Sequence, residues 1–534
     1  MLHPESRQSC KKSHVAIILP LLLLLGLAAL TDACQDSSKE RPGVDMQQLA
    51  ALRDDRLAIS EQQVRKWIDD AVKHDADSAP TDRLVRQYYS HGGKPLWLTR
   101  LGVDHRADSL LGYLTRRLPR MGFSASAFRL DEIRRDLEVM HSLRLDKGQS
   151  LSPVAARLEL SLSKAFVRYV RGQHYGFTNP YQLFNRLDAR ETTDDGRVLS
   201  YNRLFDLDID QPPTHFLEQA MGWVRNDSVS VALNACEPSD TLYQRYLAMI
   251  PTTTGSEART RLLANMERRR WRTRQLPSPR QRHILVNLPS LQLWACSPDS
   301  VLNMRIVCGA CKTKTPQLAS QINLLQVNPE WNMPMSIIKN EVTGHVGDSA
   351  YFIRNHYFAV DKKTGERVVP WTLSAVQMRS GNYRLAQESG SGNSLGRLIL
   401  RFPNKFDVYL HDTSNPSAFK REQRTLSHGC VRVEQPYELA CFALGEPDEW
   451  TLDRIRLSID MQPLSERGKK YLRQHADDNE PIRLIRSASI NPPLPVYLFY
   501  YTLYPNPESG QMQQWPDIYG YDQVIARAIK PFTR

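Results

Sequence analysis

Beyond residue 30 the sequence lacks any apolar run long enough to span a bilayer, so the rest of the chain is not expected to cross a membrane. It also lacks zinc-finger spacing and any interleaving of basic and aromatic residues, and we therefore expect no nucleic-acid partner. No strong charge bias is present, since the formal net charge is +12 over 534 residues. The apolar and charged fractions, 41% and 24%, are ordinary for a globular protein.

The sequence offers little for a metal or redox centre. Cys308 and Cys311 form a CxxC pair, but no second ligand pair follows at the spacing of a structural zinc site. The pair lies in a strand-rich stretch, without the strand-to-helix context of a thiol redox motif. The two thiols are close enough in sequence to pair across a turn or to remain free. We expect no cofactor and no metal.

The N-terminus has the pattern of an export signal over residues 1–33. Lys11 and Lys12 precede an apolar run over residues 15–30, and Thr31-Asp32-Ala33-Cys34 then resembles a lipoprotein processing site. Processing there would leave a lipid on Cys34 as the first mature residue. The alternative is an uncleaved membrane anchor over residues 15–30. Either interpretation places the rest of the chain outside the cytoplasm, attached to a membrane.

A chain of 534 residues is too long for one core, so we expect two or more domains. Helical patterns run from about residue 58 to 272, with helix starts indicated at Ser60 with Gln63, at Ser152-Pro153 and at Asn179-Pro180. One long helix is expected through residues 160–170. From His283 onward the pattern changes to strands. The fold class predicted is α+β multidomain, with a helical domain over 35–275 and a mostly β domain over 280–534.

Two further stretches carry expectations. Arg268, Arg269, Arg270 and Arg272 form the densest basic cluster, which we interpret as a solvated helix face; attraction to an acidic polymer or to lipid phosphates is the alternative. Residues 337–391 are polar and rich in glycine, and predict an insertion in the β domain.

Residues 409–433 contain groups suited to nucleophilic catalysis. His411 is followed, about one hairpin later, by Ser427-His428-Gly429-Cys430. A cysteine needs a base to form a thiolate near neutral pH, and a histidine can take its proton. A glycine before the cysteine lets the backbone come close to a substrate and present its N–H groups to an oxyanion.

This pattern resembles that of the L,D-transpeptidases, cysteine enzymes that cross-link peptidoglycan. A histidine, a gap over residues 412–426, Ser-His-Gly-Cys and then Val431-Arg432 fit their signature. Further blocks resemble the large periplasmic subclass, which has a helical scaffold domain, and keep its order. These blocks are residues 286–289, 328–334, 392–396, 402–405, 409–413 and 517–520. The resemblance covers roughly residues 280–522, and residues 169–180 are similar to the scaffold domain.

The resemblance implies a reaction and a set of roles. Cys430 would attack the amide between the third and fourth residues of a peptidoglycan stem peptide, and an acceptor amine would then complete a 3→3 cross-link. His411 would carry the proton, and the backbone carbonyl of Asp412 would orient it. The N–H groups of Gly429 and Cys430 would bind the oxyanion.

The remaining residues of the site have more general expected roles. Ser427 and His428 would shape the loop beside the substrate. Tyr409, Arg432 and Trp331 are candidates for lining the substrate groove, with simple core packing as the alternative. The insertion over residues 337–391 would form a lid, and carbapenems would acylate Cys430. The resemblance implies the periplasm, and the processing site at Cys34 indicates a membrane-anchored lipoprotein.

Three other functions remain open from the residues alone. A cysteine peptidase or amidase acting on wall peptides would use the same nucleophile, with water as acceptor. A wall-binding lipoprotein with an inactive site would need neither His411 nor Cys430. A zinc site formed by His411, His428 and Cys430 would require a fourth ligand or a bound water.

Overall fold

The protein is described here from a computed structural model, which covers residues 54–99 and 102–533. The predicted signal over 1–33, Cys34 and the alternative anchor over 15–30 lie outside the described residues. Within the two described ranges, no helix is both long enough and apolar enough to cross a membrane.

A helical region comes first. Its helices are α1 (Glu61–Lys73), α2 (Pro80–Ser90), α3 (His105–Arg120), α4 (Leu130–Ser142), α5 (Leu151–Tyr175), α6 (Pro180–Phe184), α7 (Phe216–Arg225), α8 (Val229–Ala235), α9 (Thr241–Met249) and α10 (Ser256–Arg270). Short strands interrupt it, namely β1 (Leu98–Thr99), β2 (Gly102–Val103), β3 (Ala189–Thr192), β4 (Val198–Tyr201) and β5 (Phe205–Asp206).

Helix α5 is the centre of the helical region, and α1, α2 and α4 pack around it. It is buried on most of its circumference, as expected for a helix surrounded by others. Its buried charged side chains have polar partners. Lys164 lies 2.5 Å from Asp75. Glu159 accepts hydrogen bonds from the backbone N–H groups of Leu96 and Trp97 at 2.5 and 3.0 Å. Burial raises the pKa of Glu159 to about 7.

The helix starts were predicted with mixed success. Ser60 accepts a hydrogen bond from the Gln63 N–H at 3.2 Å, and Asn179 caps α6 through the N–H groups of its first turn. The start at Ser152-Pro153 is wrong by two residues, because Ser150 is the N-cap of α5. Ser152 lies inside the first turn and its hydroxyl donates to the Ala58 carbonyl at 3.2 Å.

The interpretation of the basic cluster as a solvated face is also wrong. Arg268 and Arg270 are buried in α10. Arg268 pairs with Asp522 at 2.6 Å, and Arg270 with Glu267 at 3.2 Å. Buried charges require such partners, and an arginine-rich sequence does not reveal where the partners are. The cluster thus joins α10 to the C-terminal helix.

The β-rich region follows. Its strands are β6 (His283–Asn287), β7 (Gln292–Cys296), β8 (Val301–Gly309), β9 (Gln317–Val327), β10 (Trp331–Asn332), β11 (Tyr357–Asp361), β12 (Arg367–Val368), β13 (Tyr383–Gln387), β14 (Leu398–Arg401), β15 (Leu410–His411), β16 (Thr425–Ser427), β17 (Val431–Val433), β18 (Ser487–Phe499), β19 (Leu503–Pro505) and β20 (Met512–Gln514). Its helices are α11 (Met335–Asn340), α12 (Ser349–Arg354), α13 (Ala375–Arg379), α14 (Pro436–Leu444), α15 (Glu449–Ser458), α16 (Glu466–Gln474) and α17 (Tyr521–Thr533).

The main sheet has the strand order β14-β15-β17-β8-β7-β6-β18-β9-β5, and β16 pairs with β8. Strand β14 also pairs with β9, which closes the sheet on itself. The order of a helical region followed by a β-rich region confirms the predicted α+β class.

The helical region contributes to the main sheet and its core. Strand β5 pairs in parallel with β9, with Phe205 opposite Gln317. Phe184, Leu204 and Trp271 belong to the same buried apolar cluster as strands β6, β7 and β18. The sheet therefore extends across the predicted limit near residue 280.

A second, smaller sheet lies in the insertion. It has the order β10-β13-β11-β12, and α11, α12 and α13 surround a separate apolar core. We call residues 331–387 the cap. Its core includes Ile338, Phe352 and Met378, and Trp331 packs against it.

Candidate active site

His411 and Cys430 lie at neighbouring strands of the main sheet. Strands β15 and β17 are parallel, with Leu410 opposite Val431 and His411 opposite Arg432. Leu410 and Val431 are fully buried in the core. Because side chains alternate along a strand, the residues flanking this pair project from the other face. His411, Cys430, Arg432 and Tyr409 therefore share one face of the sheet.

Cys430 ends a loop that is held closely by hydrogen bonds. We call residues 427–430 the nucleophile loop. The Ser427 hydroxyl donates to the Cys430 carbonyl at 2.5 Å, and the Gly429 N–H donates to the Ser427 hydroxyl oxygen at 3.2 Å. Gly429 has a φ of 122°, a conformation that L side chains rarely adopt. The loop can take this shape only with glycine at that position.

Further hydrogen bonds reach the nucleophile loop from the segment after β8. The Thr315 hydroxyl donates to the Gly429 carbonyl at 2.8 Å and accepts the Gly309 N–H at 2.8 Å. The Thr313 hydroxyl donates to the Ser427 carbonyl at 2.8 Å. The Tyr519 hydroxyl, in turn, donates to the Gly309 carbonyl at 2.6 Å. The sequence did not point to the two threonines; Tyr519 falls in one of the resemblance blocks, residues 517–520.

The Cys430 thiol is neutral in this arrangement. Its sulfur donates to the Asp407 carbonyl at 3.5 Å. Burial of the sulfur raises the pKa of Cys430 to about 11, and Asp407 adds to this, whereas Arg401 and Arg432 act in the opposite direction. The thiol therefore needs a base before it can attack.

The imidazole of His411 is also neutral. It is buried, and burial, together with Arg432, lowers the pKa of His411 to about 4. The backbone of Asp412 and that of Leu395 act in the opposite direction. The buried Nδ1 atom forms no well-aligned hydrogen bond within the described residues. A neutral imidazole and a neutral thiol on one face of adjacent strands are the combination required for proton transfer from sulfur to nitrogen once the two side chains meet.

The Asp412 side chain stabilises the backbone next to His411. Its carboxylate accepts the N–H groups of Arg397 and Thr413 at 2.8 and 2.7 Å. A β-carbon at Gly396 would lie 2.4 Å from the Asp412 side chain, so glycine is required there. These contacts account for the block over residues 392–396. The role predicted for the Asp412 carbonyl stays a prediction.

The two predicted oxyanion donors are bonded differently in this structure. The prediction gave this role to the N–H groups of both Gly429 and Cys430. The Gly429 N–H is engaged with the Ser427 hydroxyl, because that side chain turns back into the loop. The N–H of Cys430 has no acceptor among the described residues. In this conformation, Cys430 is thus the available donor of the two.

The groove-lining candidates lie in different places. Tyr409 adjoins Cys430. The guanidinium group of Arg401 lies over the Tyr409 ring, with its carbon 4.6 Å from the ring centroid. Arg432 is on the same face. Trp331 begins the cap sheet and packs against the cap core. His428 is exposed, and its Nε2 lies 2.7 Å from Glu341 Oε1 of the cap. Glu341 was not singled out from the sequence.

The other cysteines lie apart from this arrangement. Cys308 and Cys311 are both free, Cys308 buried and Cys311 exposed, as are Cys236, Cys296 and Cys441. Within the part of the chain that the structure describes, no group of three or more His, Cys, Asp and Glu side chains is placed to hold a metal ion.

Two family models match segments of this chain. Residues 281–446 match the YkuD model, an L,D-transpeptidase catalytic domain, and residues 82–249 match the Scaffold domain model. A region similar to a scaffold domain therefore precedes a region similar to an L,D-transpeptidase catalytic domain, in agreement with the resemblance drawn from the sequence motifs.

A relative of similar description is found in Haemophilus influenzae. The chain is 27% identical over 317 residues to the protein named "Putative L,D-transpeptidase" of strain ATCC 51907 / DSM 11121 / KW20 / Rd. The match covers 59% of this chain and 60% of the relative.

Proposed function

We propose that this protein is a peptidoglycan L,D-transpeptidase that forms 3→3 cross-links through a thioester on Cys430. The observation that carries the proposal is the parallel pairing of β15 with β17, inside the matched catalytic domain. It puts a histidine and a cysteine on one face of adjacent strands, which is the geometry of an activated thiol.

In the first half-reaction, His411 accepts the proton of the Cys430 thiol. The sulfur forms a bond to the carbonyl carbon of the third stem residue, and the bond from that carbon to the nitrogen of the fourth residue breaks. The proton held by His411 passes to the departing amine. The sulfur must first turn away from the Asp407 carbonyl, its acceptor in this structure.

In the second half-reaction, the amine of an acceptor stem attacks the thioester. His411 takes a proton from that amine, the new amide forms, and the sulfur recovers its proton. During both steps the N–H of Cys430 is available to an oxyanion, and a donor of this kind lowers the barrier by roughly 3 kcal/mol. The Gly429 N–H would contribute only after release from Ser427.

The test is mass analysis after the full chain is incubated with tetrapeptide stems. Dimers linked through their third residues, with loss of the fourth residue from the donor, are expected. Tripeptides alone would favour the cysteine peptidase or amidase, since water would then be the acceptor. No product at all from folded protein would favour a non-catalytic wall-binding protein.

Inhibition by carbapenems follows from the same chemistry. The strained lactam carbonyl is a target for a thiolate, and opening the ring leaves the whole inhibitor on the sulfur. Intact mass should show one adduct, and peptide mapping should place it on Cys430. An adduct on Cys311, the exposed thiol, would contradict the assignment of the nucleophile.

We also propose that the protein acts in the periplasm as a lipoprotein anchored through Cys34. The support is the sequence pattern of residues 1–34 and the nature of the substrate. Cys34→Ala should release the protein from the membrane fraction. If that variant stays with the membrane, the anchor is the apolar segment over residues 15–30.

A further inference from the structure

Arg432 differs from the other arginines near Cys430 in having no partner. Its Nε atom is buried without an acceptor, and its guanidinium forms no hydrogen bond or ion pair within residues 54–99 and 102–533. Arg401, by comparison, donates to Gln326 at 2.6 Å and lies over Tyr409. A half-buried guanidinium without a partner is costly, and an anion that binds during the reaction would remove this cost.

The position of Arg432 restricts where that anion lies. Arg432 follows Cys430 by two residues on the same strand face and is opposite His411 in the register. Cys430 and His411 both respond electrostatically to its charge. The α-carbons of Arg432 and Cys430 are two residues apart along the strand, about 6.6 Å, so an anion on Arg432 lies within several ångströms of the reacting sulfur.

A tetrapeptide donor has a carboxylate at that distance. The residue that leaves carries its free α-carboxylate, which only the α-carbon separates from the scissile nitrogen. Arginine binds carboxylates through two parallel N–H bonds, and this fixes both distance and orientation. Holding this group would place the scissile carbonyl beside the sulfur.

We propose that Arg432 binds the terminal carboxylate of the leaving residue and so selects stems that end at the fourth position. This inference rests on the proposed function, since it assigns a substrate group to the same site. A second source of the same chemistry is a side-chain carboxylate on the third stem residue. Asp407, whose negative charge also acts on the thiol, would disfavour a carboxylate placed on its side.

The test compares two donor peptides on the full chain. One ends in a free carboxylate and the other is the same tetrapeptide with a C-terminal amide. Release of the fourth residue is measured as kcat/KM. The wild type should prefer the acid by roughly 10- to 100-fold, the range for a hydrogen bond to a charged group. Arg432→Gln should lose most of this preference, and Arg432→Lys should keep part of it.

Arg401→Gln is the matched control. It removes an equal charge that also acts on the thiol, but from a side chain that already has partners. It should slow both peptides by the same factor. The ratio of kcat/KM for the acid to kcat/KM for the amide therefore separates carboxylate binding from an effect on the thiol.

Several results would overturn the inference. Equal rates of the wild type on acid and amide would do so without any variant, and so would an equal slowing of both peptides by Arg432→Gln. A donor with lysine as its third residue tests the second source. If kcat/KM of the wild type falls with this donor, and the free-acid and amide forms react at equal rates, Arg432 does not bind the terminal carboxylate.

Failure of the proposed function gives a different result. In that case neither peptide, nor a carbapenem, would form an adduct with Cys430 in the wild type. The thermal midpoint shows whether each variant is folded.

Discussion

The nucleophile loop and the cap face each other across the candidate site, but they are held in different ways. The loop is fixed by hydrogen bonds from Thr313 and Thr315 to its carbonyl groups. The cap has its own core and presents exposed apolar side chains, including Ile353 and Val376. The one ion pair found between them, from His428 to Glu341, joins two side chains that are about half exposed, 54% and 50%. The loop and the cap are therefore stabilised separately, the loop by hydrogen bonds and the cap by its own apolar core.

The largest expected effect concerns the loop itself. Cys430→Ala should abolish cross-linking, and Cys430→Ser should be nearly as severe because a hydroxyl is far harder to deprotonate. His411→Ala should lower the rate of acylation by about 10²- to 10⁴-fold, the usual contribution of a general base. Acyl-enzyme formation is followed by intact mass. Cross-links from folded Cys430→Ala protein would show that the nucleophile lies elsewhere.

The support of the loop gives the next largest effect. Thr315→Val keeps the shape of the side chain but removes the hydrogen bonds to Gly309 and Gly429, in a fully buried place. We expect a loss of about 1–3 kcal/mol in the free energy of unfolding and slower acylation. Thr313→Val removes one bond at a half-buried place and should cost less. Urea denaturation measures the loss of stability of each variant, and intact mass measures its rate of acylation. Equal effects of Thr313→Val and Thr315→Val would contradict the expected order.

The cap should affect affinity more than chemistry. Glu341→Gln removes the charge that pairs with His428, an exposed pair worth up to about 1 kcal/mol. We expect KM to rise a few-fold, kcat to stay the same, and the difference from wild type to shrink at high salt. Glu366→Gln is the control, because Glu366 is an exposed cap carboxylate whose side chain forms no ion pair among the described residues. A fall in kcat would show that the cap sets the reaction geometry.

The smallest effect is on the thiol. Because the pKa of Cys430 is raised to about 11, its alkylation by iodoacetamide should still accelerate between pH 8 and pH 10. Arg432 favours the thiolate, so Arg432→Gln should raise the pKa of Cys430 and slow alkylation at a given pH. Glu341→Gln should leave the profile unchanged. A plateau near neutral pH would mean that the thiol is already ionised in the resting protein.

His411 and Cys430, the candidate base and nucleophile, could be singled out because they lie in one continuous stretch, residues 409–433. Their spacing and the glycine between them are visible in the sequence, and neighbouring strands then bring them together. The threonines that fix the loop come from a segment more than a hundred residues earlier. No local sequence pattern predicts their hydrogen bonds to the loop. Tyr519 was in a block that the sequence marked, but its contact with Gly309 required the structure.

The errors have a common physical cause. Arg268 and Arg270 looked solvent-exposed because their partners, Asp522 and Glu267, are set by tertiary packing or by helix orientation. The Gly429 N–H looked free because the rotamer of Ser427 is not encoded in the motif. Strand β5 was not expected because two residues are too short to produce an alternating pattern.

Strand β5 has a consequence for how the protein is cut and expressed. A fragment beginning at residue 280 would keep every residue of the matched catalytic domain, yet the end of β9 would lose its neighbour Phe205. Unpaired backbone N–H and C=O groups at a sheet edge recruit strands from other molecules. Apolar surface now covered by Phe184, Leu204 and Trp271 would also be bared. Such a fragment should aggregate, whereas a fragment that begins before α6 would keep both β5 and these side chains.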